Sequence, residues 1–470
     1  MALRNDVPRL IEYAQNKSNY LRHNHKLFNI YEGDLLTYVE EALRRQLSAQ
    51  SFETMRDRIA PVNVLRQIVD KLSKIYGNKS PVRHIIDGTD TDADLLAWYE
   101  QKFAANQKWN VANEFFNLQK STLVEPFVDN MQPGMRAISA DRFLPYSTDD
   151  IDPTRPTHII IIDGTDATGN VIYRAYTADE FIIFDSAGNV RTDMMGYIGN
   201  EDGINVFGAL PFVYINRSHN LLVPLVDTDS VKMTTLIPVL LSDLNYISMF
   251  QTFSIMYGID VSDEALVMAP NAFWRFKTDG DGEKKPEVGS IKPEADIDQL
   301  INMISTQLSF WLKSRGIRPG TVGDLSPESA ASGISKIIDE MDTSDERNKA
   351  VEFFTNAEHD FWQLVMHKMH PYWVANNMVE RRELFSPGAT VEVNFAEQIP
   401  FVKRGEIVTT LKAEMEAGLV SRRRAIKRLN PKMTDAEIDE LIAEIDAERT
   451  YVDEDEFADG ETDQGQPNQV

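Results

Sequence analysis

No cysteine occurs anywhere in the 470 residues, which removes disulfides, cysteine-ligated zinc, iron–sulfur clusters and thiol catalysis together. A reducing cytoplasm suits such a chain. Long apolar runs are missing as well. Nothing approaches the ~18 residues of a membrane-spanning helix, and the densest cluster, His158-Ile159-Ile160-Ile161-Ile162-Asp163, has the length of a strand. The opening residues Met1 to Pro8 lack the apolar core of a signal peptide. The phosphate-cradling and nucleophile-elbow patterns G-x-x-x-x-G-K-[ST], G-x-G-x-x-G and G-x-S-x-G are absent, so no nucleotide fold or serine hydrolase is marked.

What is present is size, apolar content and acid. Hydrophobic residues make up 42% and aromatics 9%, enough for a folded chain of two to four units at ~100–200 residues each. Acidic residues outnumber basic ones 73 to 48, a formal charge of −25. That charge is concentrated at one end: residues 435–470 carry fourteen acids against Arg449, a net of −13. The remainder is therefore only mildly acidic, which argues against a whole-chain nucleic-acid mimic. Residues 451–470, with Asp453-Glu454-Asp455-Glu456 and a Gln/Gly/Pro/Asn ending, read as an acidic, solvated, disordered tail.

The pattern along the chain predicts an α+β fold, mainly helical. Helices are expected over the first ~125 residues, at 61–77, at about 92–107 and at 111–123. From ~135 to 217 short β-branched and aromatic runs at 159–162, 171–176 and 181–184 alternate with turns, and a strand at 208–216 closes this meander. Two long helices follow, 229–257 with an awkward Pro238, and 294–315 with Ile297, Leu300, Ile301, Ile304, Leu308, Trp311 and Leu312 on one stripe. The first of these shows apolar residues at 236, 240, 244, 247, 250 and 253/255. Between them sits a small β insert with Phe273-Trp274-Arg275-Phe276, so the arrangement is a stalk bearing a knob. Ser326-Pro327 opens a further helix, interrupted near Met341–Asp345. A late strand at 389–395 needs an earlier partner, for which the meander is the natural choice. Gly418 ends one short helix, Ser421 caps the next, and a capping box at Thr434–Glu437 opens the last.

Chemistry finds little anchorage. His359, His367 and His370 gather with Glu358 and Asp360, and positions 367 and 370 share a helical face. The spacing is not H-E-x-x-H and lacks a third well-placed ligand, so these read first as amphipathic core histidines beside Trp362 and Trp373. The Asp90-Thr91-Asp92-Ala93-Asp94 run and the Asp279–Glu283 run are incomplete calcium loops and read as acidic turns. No metal or cofactor is expected, and no enzyme. Basic residues cluster at Lys313, Arg315 and Arg318, and again at Arg422, Arg423, Arg424, Lys427 and Arg428. The second group lies at a helix N-terminus, where the dipole disfavours cations.

The order of these elements, with five local motifs, resembles the portal (head-to-tail connector) proteins of long-tailed bacteriophages. The motifs are Tyr31-Glu32-Gly33-Asp34, Val62-Asn63 through Asp70, Gly208-Ala209-Leu210-Pro211-Phe212-Val213, Ala331-Ser332-Gly333-Ile334-Ser335-Lys336, and Glu406 through Gly418-Leu419-Val420-Ser421. Each is weak alone; together, in order, they span about residues 30 to 450.

The resemblance implies a wing over 1–226, stem helices at 227–257 and 294–316, and a clip at 258–293. It further implies a tunnel loop, long wing helix and late wing strand within 317–400, and crown helices at 401–450. It implies a closed ring of about twelve subunits around double-stranded DNA at one capsid vertex, in the virion, assembled in the host cytoplasm. Expected partners are the terminase large subunit, the head-completion adaptor, and major capsid and scaffolding proteins, with no membrane. Asp339, Glu340, Asp342, Thr343, Ser344, Asp345 and Arg347 would form the tunnel loop, repelling DNA so that it stays centred and mobile. Lys313, Arg315 and Arg318 would be the basic counterweight in the channel, and Phe273, Trp274, Arg275 and Phe276 the partner-binding strand of the clip. The alternatives are another virion assembly protein, such as a minor capsid or baseplate component, and a soluble metal-dependent hydrolase built on Glu358, His359, His367 and His370.

Overall fold

The computed structural model describes residues 2–77, 80–197, 202–252, 255–259, 273–276, 287–291, 297–317, 333–395, 404–429, 438, 441–443 and 445. Five helices come first: α1 (Ala2–Asn16), α2 (Ser18–Glu32), α3 (Leu35–Gln46), α4 (Ala49–Arg56) and α5 (Val64–Leu72). Strand β1 (Val82–Ile86) precedes α6 (Asp90–Phe103) and α7 (Ala105–Gln119). Then come β2 (Ser121–Asp129), β3 (Gln132–Ser139), β4 (Phe143–Tyr146), β5 (His158–Thr165), β6 (Val171–Tyr176), β7 (Phe181–Asp185), the short α8 (Thr192–Tyr197) and β8 (Val213–Asn216). The long α9 (Thr228–Thr252) leads to β9 (Ile255–Ile259), β10 (Phe273–Phe276) and β11 (Glu287–Ile291), and α10 (Ile297–Ser314) follows. Helix α11 (Gly333–Leu364) passes through a π-helical turn at Val365–Met369 into α12 (His370–Ala375), and then come β12 (Thr390–Asn394), α13 (Arg404–Glu416) and α14 (Arg422–Leu429).

The chain divides into two compact units. One comprises Met1–Ala331 and Met341–Glu397, the other Ser332–Glu340 and Gln398–Val470. The larger unit holds three apolar cores. In the first, α6, α7 and α11 bring together Tyr99, Phe103, Trp109, Phe116, Phe354, Phe361 and Trp362. The second seats α1, through Leu3, Val7, Leu10 and Ala14, on β4 to β7. The third joins α2 to α5 with α9 and α10.

The runs at 159–162, 171–176 and 181–184 fall in β5, β6 and β7, which with β4 form an antiparallel sheet in the order β4-β5-β6-β7. Asp166 closes the β5–β6 turn, accepting from the backbone of Thr168 and Asn170. Several expectations need correction. The closing strand, β8, pairs with β2 rather than with the meander, giving a separate sheet β3-β2-β8. Helix 111–123 ends at Gln119, because Lys120 turns left-handed (φ +64°) and Leu123 and Val124 belong to β2. Helix 92–107 breaks at Ala104, also left-handed (φ +48°), a turn that no glycine or proline announces. The late strand β12 does not join the meander. It pairs antiparallel with β1, Val82 opposite Asn394 and Ile86 opposite Thr390, a strand that the sequence reading placed inside a helical region.

Helix α11 corrects a further expectation: its backbone runs unbroken through 341–345. Asp, Thr and Ser carry helix penalties of a few tenths of a kcal/mol each, but neither Pro nor Gly is there to stop the helix. A real irregularity comes later. Pro371 lacks the N–H that would bond residue 367 and its ring crowds that carbonyl, and the π-helical turn just before it absorbs the conflict. Ser326 and the box at 434–437 lie outside the described residues. Gly418 (φ +72°) does end α13, and Ser421 caps α14 by accepting from the Arg424 N–H at 3.4 Å.

Candidate functional site

The expected site residues divide between α11, which carries those at 339–347, and the two long helices with the strands between them, which carry Phe273–Phe276, Lys313 and, just past α10, Arg315. Helix α9 keeps Pro238 inside it, and Ser242 Oγ donates to the Pro238 carbonyl at 2.7 Å. Its buried face is Thr234, Ile237, Pro238, Val239 and Ser242, not the stripe read at 236, 240, 244 and 247. That stripe is only partly covered, and Leu236 is 39% exposed. Apolar residues thus surround α9, and one side is used by the α2–α5 core. In α10 the expected stripe holds: Ile304, Trp311 and Leu312 are buried in the same core. On its outer side, seven residues apart, Met303 is 39% and Phe310 68% exposed. Helix α9 ends at Thr252, earlier than expected, because 255–259 forms the central strand of a three-stranded sheet, β10-β9-β11.

The base of the pair is locked by charge. Asp227 caps α9, accepting from the Ser230 N–H at 3.3 Å, and its other oxygen pairs with Arg315 at the end of α10. Arg315 also donates to Ser230 Oγ at 2.9 Å, and Lys120 Nζ approaches Asp227 at 3.7 Å. Burial alone would push the Asp227 carboxyl up, but Arg315 and Lys120 hold it below the ordinary carboxylate value. Arg315 is therefore committed to a helix-end clamp. Lys313 is exposed, and Arg318 lies outside the described residues. Sequence reading missed Asp227; an acid one residue before a helix start, three before Ser230, was the available signal.

The remaining expected residues disperse. The backbone of Asp339, Glu340, Asp342, Thr343, Ser344 and Asp345 is helical, within α11, and their side chains lie outside the described part of the structure. Arg347 is buried, and burial pulls its pKa down. Phe273, Trp274, Arg275 and Phe276 form β10, an edge strand that pairs in parallel with Met256–Ile259 of β9.

The histidine cluster does not assemble around a metal. His367 Nε2 meets the Ala389 carbonyl at 2.9 Å, His370 Nε2 the Glu383 carbonyl at 2.7 Å, and His359 Nδ1 the Val391 carbonyl at 3.4 Å. His370 Nδ1 also meets Tyr99 Oη at 2.6 Å. All three imidazoles thus fasten the segment leading into β12. Glu358 is wholly buried with Arg83 of β1 and accepts from Tyr76 Oη at 2.7 Å. Among the described residues no group of three His, Cys, Asp or Glu side chains is placed to hold a metal ion. The suspected calcium run opens α6 instead. Asp92 accepts from the Thr89 N–H at 2.7 Å and the Ser386 N–H at 2.8 Å in a reciprocal cap.

No described helix is long and apolar enough to cross a membrane. Among curated proteins none matches the chain. Solved structures that resemble it include a chain from the neck of an empty GTA particle computed with C6 symmetry. That chain is 11% identical, with a TM-score of 0.42, over 81% of this chain and 93% of its own. The family described as phage portal protein, SPP1 Gp6-like, matches residues 9–451, nearly the whole length, and the chain belongs to that family.

Proposed function

We propose that the protein assembles as a closed ring of about twelve subunits at one capsid vertex, with double-stranded DNA passing through its centre during packaging and ejection. The observation that carries this reading is the stem. Two long helices are clamped at their base by Asp227 and Arg315, yet they leave Leu236, Met303 and Phe310 uncovered in the single chain. A helix apolar on all sides needs cover on all sides, and copies of the chain supply it by packing head to tail. In this reading α9 and α10 form the channel wall. The strands of the 258–293 segment, with Phe273 to Phe276 on an edge, form the clip that docks the terminase motor and later the head-completion adaptor. The acidic run 339–347 faces DNA and keeps it mobile, since a lining that bound several phosphates would gain a large, salt-dependent affinity and slow translocation. Among the described residues of the proposed basic set, Lys313 is the exposed one.

Native mass spectrometry of the purified protein, with class averages of negatively stained particles, tests the ring. Closed particles of about a dozen subunits with a central hole are expected; a chain that stays monomeric when concentrated overturns the reading. The acidic run is tested separately: reversing Asp342 and Asp345 to Lys is expected to impair DNA packaging while rings still form. Unchanged packaging removes the run from the mechanism.

A further inference from the structure

The stem leaves one half-buried carboxylate without a partner among the described residues. Asp243 lies half-buried on α9 and makes no hydrogen bond or ion pair with the described residues. The positions beside it are occupied. Ser242 Oγ accepts the Ala60 N–H at 3.0 Å, and Asn245 Nδ2 donates to the Arg58 carbonyl at 3.2 Å. The segment 58–60 is therefore held against one flank of α9 at the level of residues 242–245. Arg58 itself is exposed, and its guanidinium also has no hydrogen bond or ion pair among the described residues. An α-helix turns ~100° per residue, so Asp243 points ~100° away from Ser242 and ~160° away from Asn245. Asp243 and the segment that bears Arg58 thus stand at one level of the stem on different sides of one helix, and the two side chains do not pair within the chain.

Ring symmetry brings such groups together. Rotation about the ring axis carries a residue sideways and never changes its height. Two residues close together in one chain keep nearly the same height in every copy, whatever direction the axis takes. A head-to-tail interface joins one flank of a subunit to the opposite flank of the next. We propose that Asp243 of one copy pairs with Arg58 of the neighbouring copy, once at every interface of the ring. This rests on the ring reading above and adds the charge pair that sets the lateral register. Leu236, seven residues before Asp243 on α9, and Met303 and Phe310 on α10 supply apolar surface on the stem, and an ion pair shielded by such surface gains strength and specificity over one in open solvent. Burial already holds the Asp243 carboxyl above its ordinary value, with no neighbouring charge acting on it.

The test is a charge swap on the full chain, with ring fraction read by native mass spectrometry and folding by circular dichroism. Asp243→Lys and Arg58→Asp are each expected to lower the ring fraction by about tenfold or more at equal protein concentration. Both are expected to keep the wild-type spectrum, Arg58 being on an exposed segment. The double variant Asp243→Lys/Arg58→Asp is expected to recover most of the rings. Wild-type ring formation by either single variant, or a double variant no better than the singles, overturns the pair while leaving the ring reading intact. A wild-type chain that forms no rings overturns both.

Discussion

Two carboxylates, Glu358 in the aromatic core and Asp243 on the stem, are treated in opposite ways. Glu358 is fully buried and receives Tyr76 Oη, two nitrogens of Arg83 and, more distantly, Trp362 Nε1. The remaining nitrogen of Arg83, Nη1, donates to Glu100 and Asn106 at 2.8 and 2.9 Å. Asp243 has none of this. The Glu358 site is complete within one chain: the buried carboxylate and the Arg83 guanidinium are answered by groups that the same chain supplies. The stem leaves apolar and charged groups open. A region that settles its own polar groups can fold alone, whereas one that leaves them open is finished by a neighbour.

Breaking the core side of this contrast should give the largest effect. Glu358→Ala strands the Arg83 guanidinium in an apolar interior, and removal of one partner from a buried pair costs about 3–5 kcal/mol. A corresponding fall in the urea midpoint of the larger unit is expected. A loss under ~1 kcal/mol would mean that water or Glu100 takes over, and that the core is less closed than it looks.

A milder effect is expected at Asp92, whose carboxyl is answered by Thr89 and Ser386. Burial opposes its charge, but hydrogen bonds from Ser386 and Thr89 draw its pKa down from 3.8 to about 2. A carboxyl lowered on folding contributes stability that is fully present above about pH 4 and is lost as pH falls towards 2. Asp92→Ala should therefore cost about 1–2 kcal/mol at pH 7, the value of a helix cap plus part of the titration linkage. The gap to wild type should narrow as pH falls from 4 to 2. A gap that stays constant with pH would assign the cost to packing rather than to charge.

How much of this was legible depends on the range of the interaction. Strands β5 to β7 were readable because β-branched runs and their turns are adjacent in sequence. So were Ser421 and Gly418 at the α13–α14 junction, and the stripe on α10. The pairing of β12 with β1 was not, since nothing local says which distant strand answers Val391 and Val393. The left-handed turns at Ala104 and Lys120 fall on residues other than glycine, and propensity gives no hint of them. On α9 the apolar residues lie all round, so periodicity alone could not select the buried side. Asp243 and Arg58 were invisible for a simpler reason: in a chain with 73 acids one more Asp carries no signal. Only its lack of a partner distinguishes it, and that is a property of the fold.

The smallest effect on the fold should come from the stem, and that sharpens the contrast. Phe310 is 68% exposed in the single chain, so Phe310→Ser removes little buried area, and a surface change of this kind alters stability by roughly 0.5 kcal/mol or less. The half-buried Asp243, replaced by Asn, should leave the unfolding midpoint at or slightly above wild type, because the charge it loses had no partner to strand and was opposed by burial. Both changes should nevertheless lower the ring fraction at fixed concentration, since each removes a group that only a neighbour answers. Melting curves and native mass spectra of the same samples separate the two readouts. If Phe310→Ser unfolds the chain as readily as Glu358→Ala does, the stem is part of the single-chain core and the contrast fails. If it leaves both folding and rings untouched, Phe310 faces solvent in the assembly too, and the interface must use the opposite flank of α10.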